Sequence, residues 1–222
     1  MGRRIAPLVA IAAAAAVLSA ASSGAVLALE PLSSLGHLRP APYPGDPGPE
    51  LVPIPHAPTL APPSSTARST KAVDGIRCEF NARVVFHIHI HLTLFVSGRP
   101  RALPAGIGIW PPLGPQNYHN GQFGITQGNC FSWLSTHYAD GIIHTESPVQ
   151  RRFVLGQFFD LWGQPLTRTR VGPARGAVTA IVDGQVWTRE PRAIPLRKHA
   201  QIQLEVGRPL VAPESIRFPG GF

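Results

Sequence analysis

The sequence predicts a mainly β domain built from antiparallel hairpins, with one short helix near residues 156–162. Three observations carry that expectation. Residues 83–96, RVVFHIHIHLTLFV, alternate with period two, the pattern of a strand with two chemically different faces. Ser97-Gly98, Asp140-Gly141 and Asp183-Gly184 each set a turn-forming pair between apolar runs. The run from Gly156 to Trp162 has the aromatic spacing of a two-turn helix, and Gly163 stops it.

The chain divides into three parts. Residues 1–30 read as a signal peptide or an N-terminal membrane anchor. Arg3 and Arg4 precede an alanine-rich apolar run from Ile5 to Leu18, and small residues follow from Ser19 to Ala25. Cleavage after Ala21 or Ala25 suits the small-residue rule; an uncleaved anchor would instead use the apolar stretch that continues to Leu29. Residues 31–70 hold eleven prolines and one aromatic residue, Tyr43, a composition expected to stay a disordered, extended linker. Residues 71–222 are then a single β-rich globular domain. This order predicts an exported protein, periplasmic or secreted, or held at the membrane by its N-terminal helix.

Within the domain, Phe86, Ile88, Ile90, Leu92, Leu94 and Val96 fall on one face of the first strand. Val85, His87, His89, His91, Thr93 and Phe95 fall on the other. Ser97-Gly98 turns the chain into a short return strand, confined to an edge by Pro100. A glycine- and proline-rich loop follows, in which His119 is expected to face solvent. Cys130–His137 and Ile142–Glu146 form a second hairpin around Asp140-Gly141, and Phe158, Phe159, Leu161 and Trp162 dock the helix on the sheet. Thr179-Ala-Ile-Val-Asp-Gly-Gln repeats the pattern of Thr93-Leu-Phe-Val-Ser-Gly-Arg, which suggests a duplicated hairpin unit. The second copy has Pro173, Arg175 and Ala177 where the first has His87, His89 and His91, so the hairpin does not need the histidines to form. Residues 199–206 supply a final alternating strand.

Lys and Arg number 20 against 12 Asp and Glu, a formal charge of +8. A basic exported domain could contact a cell envelope or membrane surface, but arginines this dispersed read first as a solvated surface. The arginines are dispersed and not interleaved with aromatic residues, so nucleic acid is not an expected partner. The two cysteines, Cys78 and Cys130, are expected to form a disulfide in an oxidising compartment, with thiolate ligation of a metal as the alternative.

The chemistry concentrates in the histidines. Same-face residues of a strand stand about 6.6–6.8 Å apart at Cα, so neighbouring imidazoles of His87, His89 and His91 can lean onto one ion. With Asp140-Gly141 as a two-residue turn, His137 pairs with His144, and Ser135 with Glu146; a four-residue turn would make His137 and His144 diagonal neighbours, still within reach. His87, His89, His91, His137, His144 and Glu146 are therefore the candidate metal ligands. Imidazole-rich ligation suits a copper or zinc ion, whereas calcium or magnesium would want more carboxylates. A blue-copper centre is disfavoured, because the only methionine is Met1.

The runs His87-Ile-His-Ile-His-Leu, Leu103-Pro-Ala-Gly-Ile-Gly-Ile, Thr136-His-Tyr-Ala-Asp-Gly-Ile-Ile-His-Thr-Glu-Ser-Pro and Leu155-Gly-Gln-Phe-Phe-Asp-Leu-Trp-Gly resemble a family of uncharacterised exported prokaryotic proteins with a histidine-rich β domain. The resemblance covers most of residues 78–206. It implies a further histidine at the position of Ser135, which this chain lacks, and it implies no activity.

The leading expectation is an extracytoplasmic copper- or zinc-binding domain. The alternatives are a metal-dependent enzyme with Glu146 as general base, and an envelope-associated structural domain without chemistry. No nucleophile elbow, phosphate loop or HExxH helix is present, so no small-molecule substrate and no catalytic residue is assigned.

Overall fold

Period-two alternation forms the central strand of the molecule. The structure is a computed structural model of the chain and describes residues 1–2, 28–63, 72–80, 83–112, 116–117 and 123–222. Its main sheet has eight strands: β1 (Leu29–Glu30), β2 (Phe86–Val96), β3 (Arg99–Arg101), β4 (Leu134–Ser135), β5 (Ile142–Ser147), β6 (Val178–Val182), β7 (Gln185–Trp187) and β8 (Gln201–Val206). Their order is β1-β7-β6-β8-β2-β5-β4, and β3 pairs with the far end of β2 beyond β5. Pairing is antiparallel except between β2 and β8, which run parallel with Gln201 opposite His91 and Val206 opposite Val96. Among the described residues the fold is mainly β with one α-helix, as the sequence predicts.

Ile88, Ile90, Leu92 and Leu94 line one face of β2 and enter the hydrophobic core. Against them lies α1 (Leu155–Trp162), one residue longer at its start than expected, with Phe158, Phe159 and Trp162 all buried. Each such side chain contributes about 1.5–3 kcal/mol by leaving water. The Gln157 side chain accepts the Val154 N–H at the helix start, and Gly163 ends the helix at φ 74°.

The two hairpins that share a sequence pattern share a backbone. Ser97-Gly98 and Asp183-Gly184 both hold positive φ at the two central positions, 51° and 70° in the first and 51° and 77° in the second. That geometry matches the strand twist of tight hairpins. Asp140-Gly141 behaves differently and corrects the expected register. The Asp140 side chain turns back and accepts the Ile142 N–H at 3.0 Å, a side-chain turn that replaces the tight hairpin. Gly141 packs so closely that a Cβ there would stand 2.7 Å from the Leu92 carbonyl oxygen. In consequence Ser135, and not His137, lies opposite His144.

The larger correction concerns the proline-rich segment. Of the linker expected over 31–70, residues 31–63 are described and are laid against the domain, as are residues 28–30 of the expected leader. β1 pairs with β7, Arg39 bridges Val211, and Thr59 bridges Ala102. The Trp162 indole N–H donates to the Pro62 carbonyl at 2.8 Å, and Val52, Leu60 and Ala61 are buried. Proline density removes backbone donors but leaves carbonyl acceptors, so an extended proline-rich strap docks wherever the domain supplies donors and apolar sockets. Residues 3–27, which carry the expected leader, and residues 64–71 lie outside the described residues. Among the described residues, no helix is long and apolar enough to cross a membrane.

Cys78 and Cys130 form the expected disulfide, with Cα atoms 5.3 Å apart. It ties Cys78–Glu79 to Gly128–Ser132, which in turn pairs with Ile109–Pro112 in a separate three-stranded sheet. The bond closes a loop of sequence separation 52. Replacing both cysteines with alanine should lower stability by about 3–4 kcal/mol, mostly by freeing the unfolded chain. Urea titration of the oxidised protein and the double variant measures this directly; equal midpoints would contradict it.

Candidate metal centre

The face of β2 opposite the core carries His87, His89 and His91, and the pairing of β5 sets its own side chains beside them. His89 stands opposite His144, His87 opposite Glu146, and His91 opposite Ile142. On the other flank β8 alternates Ile202, Leu204 and Val206, which enter the core, with Gln201, Gln203 and Glu205. A half-polar sheet of this kind ordinarily leaves one face in water. Here two stretches of chain cover it.

The C-terminal stretch is captured by side chains of β8. Gln203 Nε2 donates to the Val211 carbonyl, and its Oε1 accepts the Glu214 N–H at 2.9 Å. Glu205 accepts the Val211 N–H at 2.9 Å. Gln201 bonds Ile216 in both directions, at 2.7 and 3.0 Å. This stretch brings the Phe222 ring onto His89, centroids 4.0 Å apart and 23° from parallel. The N-terminal strap is stitched to it, since the Arg39 N–H donates to Leu210 and the Arg39 carbonyl accepts from Ala212. That strap delivers Glu50.

Beneath these covers the imidazoles form a row. Ring centroids are 4.5 Å apart between His87 and His89, 4.8 Å between His89 and His144, and 4.0 Å between His144 and His137, the last two rings stacked. Glu50 Oε1 lies 3.2 Å from His144 Nε2 and 3.6 Å from His137 Nδ1. Ligand atoms around a tetrahedral zinc, each about 2.0–2.1 Å from it, stand about 3.3–3.4 Å from one another, so both contacts are close to coordination spacing. Two groups can hold a metal ion: His87, His89 and His144, and Glu50, His137 and His144, with the ligand atoms of each group within 4.8 Å of one another.

Burial sets the protonation states. His89 and His144 are nearly inaccessible. Desolvation, with the neighbouring His144 and His87 rings, pushes His89 down to about 3. Desolvation likewise lowers His144, although Glu50 opposes it. For Glu50 itself burial favours the neutral acid, but the hydrogen bonds and charge of His137 and His144 outweigh it and hold the carboxyl down to about 2. Asp140, fully buried nearby, is pushed well above the carboxylate range, first by burial and then by the Glu50 charge. Glu50 is therefore held as the anion, and burial favours the neutral ring at His89 and His144, the forms a metal ion binds. His89 Nδ1 and His137 Nε2 are buried without a hydrogen-bond partner. Such orphans are uncommon in folded interiors.

Four of the six expected ligands are brought into one row: His87, His89, His137 and His144. His137 arrives as a diagonal neighbour of His144, because of the register change, and not as its direct partner. His91 stays outside. Its Nε2 donates to the Asp140 carbonyl at 3.1 Å, and although its Nδ1 is buried and unpartnered, His91 joins neither group. Glu146 also stands outside both groups, reaching only His87, 3.5 Å away at the exposed end of the row. His119 lies outside the described residues. Glu50 is the candidate ligand that sequence reasoning missed. Its one signal is position: it precedes Leu51-Val52, an aliphatic pair inside a proline-rich stretch whose only other acid is Asp46.

Fold and site together define a strap-covered β domain with two overlapping histidine groups able to hold a metal ion. In comparisons with known proteins, no family model, no curated protein and no solved structure matches the chain.

The separation of His91 from the row has a measurable consequence. Burial, opposed only by the bond to Asp140, pushes His91 down to about 4. Below a pH of about 6.5 the unfolded chain takes up a proton that the folded ring refuses. Stability at this position is thus intact above that pH and lost progressively as pH falls toward 4, by on the order of 3 kcal/mol. His91→Gln keeps a donor for the Asp140 carbonyl but does not titrate. With a chelator present, its urea midpoint should fall less between pH 6.5 and 4 than that of the wild type, and parallel profiles would contradict the assignment.

Proposed function

We infer that the protein binds a copper or zinc ion on its covered histidine face and works outside the cytoplasm as a metal-handling domain. The observation that carries this is the row of four imidazoles ending on an ionised, buried carboxylate, with two ring nitrogens buried and unpartnered. Apolar surroundings penalise such a cluster unless something compensates it, and a divalent ion supplies both the missing partners and the missing charge.

The donor set supports the choice of metal. Imidazole nitrogens with a single carboxylate suit Cu(II) and Zn(II), while hard cations are served by oxygen-rich cages. Both cysteines are committed to the disulfide, so thiolate ligation drops out. The disulfide itself favours an oxidising compartment. The leader-like composition of residues 1–30 and the resemblance to an exported family favour the same location. The formal charge of +8 suits contact with an anionic envelope surface.

His144 belongs to both groups, so His144→Ala should weaken Cu(II) and Zn(II) binding at least about 100-fold. His91→Gln should leave affinity within about 3-fold of the wild type. Isothermal titration of the purified full chain, after chelator treatment, measures both. Absence of tight binding of either ion to the wild type would remove the metal assignment altogether.

A further inference from the structure

We propose that the two histidine groups are alternative seats for a single divalent ion, which enters at His87, His89 and His144 and settles at Glu50, His137 and His144, with His144 as the ligand kept through the transfer. This rests on the metal-binding assignment and adds a direction to it.

The shared residue makes the seats exclusive. A neutral imidazole offers one lone pair, so it serves one ion at a time unless it loses both its protons. His144 is counted in each group, and its Nε2 already lies 3.2 Å from Glu50 Oε1. An ion in the inner seat takes the place of the proton that bridges those two atoms. The row is tight enough for a handover: the rings on either side of His144 have centroids 4.8 and 4.0 Å from its own. Passing an ion between overlapping ligand sets avoids the step in which it would stand bare in a low-dielectric interior.

The two ends of the row differ in access and in charge, and that difference sets the direction. The outer seat's His87 side chain is 45% exposed, whereas the inner seat's Glu50 and His137 are 14% and 19% exposed. Solvent therefore reaches the outer seat, and the inner one lies under the N-terminal strap. The outer seat is formed by three imidazoles with no carboxylate among its ligands; Glu146 stands beside it, 3.5 Å from His87. The inner seat has the Glu50 carboxylate within 3.6 Å of His137 and 3.2 Å of His144. A dication leaving water needs compensating charge, and the Glu50 carboxylate provides it at the seat that has no exposed member. Each seat also includes one of the histidines with an orphaned buried nitrogen, His89 in the outer and His137 in the inner.

Cu(II) titration of the full chain, read by calorimetry and by electron paramagnetic resonance, tests this. The wild type should bind one ion per chain, with the spectrum of two nitrogens and carboxylate oxygen from the inner seat. His87→Ala should keep that stoichiometry and spectrum, because the settled ion does not touch His87. Glu50→Gln combined with His137→Ala should still bind one ion, at least about 10-fold more weakly, with a three-nitrogen spectrum from the outer seat. Two ions per wild-type chain would overturn exclusivity, and this measurement needs no variant. Loss of binding in His87→Ala, in protein shown by circular dichroism to be folded, would overturn the transfer in favour of one fused centre. No Cu(II) binding by the wild type would instead sink the metal assignment itself, a result distinct from the other two.

Discussion

The functional face exists because three polar side chains of one strand hold the backbone of the chain that covers them. Gln201, Gln203 and Glu205 alternate with core residues along β8, and together they bond residues 211, 214 and 216. Without that capture the second face of the sheet would lie in water, and His89 would titrate as an ordinary exposed histidine. With it, the C-terminal stretch crosses the sheet, stitches to the N-terminal strap through Arg39, and the strap sets Glu50 against His137 and His144. Each of these bonds is worth only about 1 kcal/mol net. Their collective effect is to turn a half-wet sheet into a layered one whose second interior is polar.

A polar interior constrains its own chemistry. Glu205 satisfies its carboxyl with the Gln203 amide and the Val211 N–H, and His91 satisfies its Nε2 with a carbonyl. These groups are closed by protein partners and read as structure. The row from His87 to His137 also leaves ring nitrogens open, at His89 Nδ1 and His137 Nε2, and there the open nitrogens lie on histidines that fall into the two groups. Three histidines with identical strand spacing are thus divided by what faces them and not by what they are. His91 meets the Asp140 carbonyl; His87 and His89 meet another imidazole.

Much of this was legible in the sequence where short-range rules decide. Alternation along residues 86–96 set the two faces of β2, the aromatic run set α1, and two Gly-containing pairs set matching hairpins. The disulfide followed from cysteine count and compartment. The rest depended on contacts that no local pattern encodes. Asp140-Gly141 has the composition of a tight hairpin, but the Asp140 side chain is buried and spends its oxygen on Ile142, which moves the register by two residues. Composition alone labels residues 31–70 as unstructured, because it counts prolines and not the sockets that receive Val52 and Leu60. Glu50 was hidden for that reason, and with it the only carboxylate in either group.

The parallel pairing of β2 with β8 also fixes a timetable. The strand that bears the histidines cannot fill its central edge until residue 201 and those after it are available. Pairings so distant in sequence are slow to close, on timescales of milliseconds to seconds. In a chain delivered from its N-terminal end, β2 waits with a bare, largely apolar edge, the feature most prone to pair with the wrong neighbour. A protein of this design leaves its histidine face without the C-terminal part of its cover until the last strand is in place.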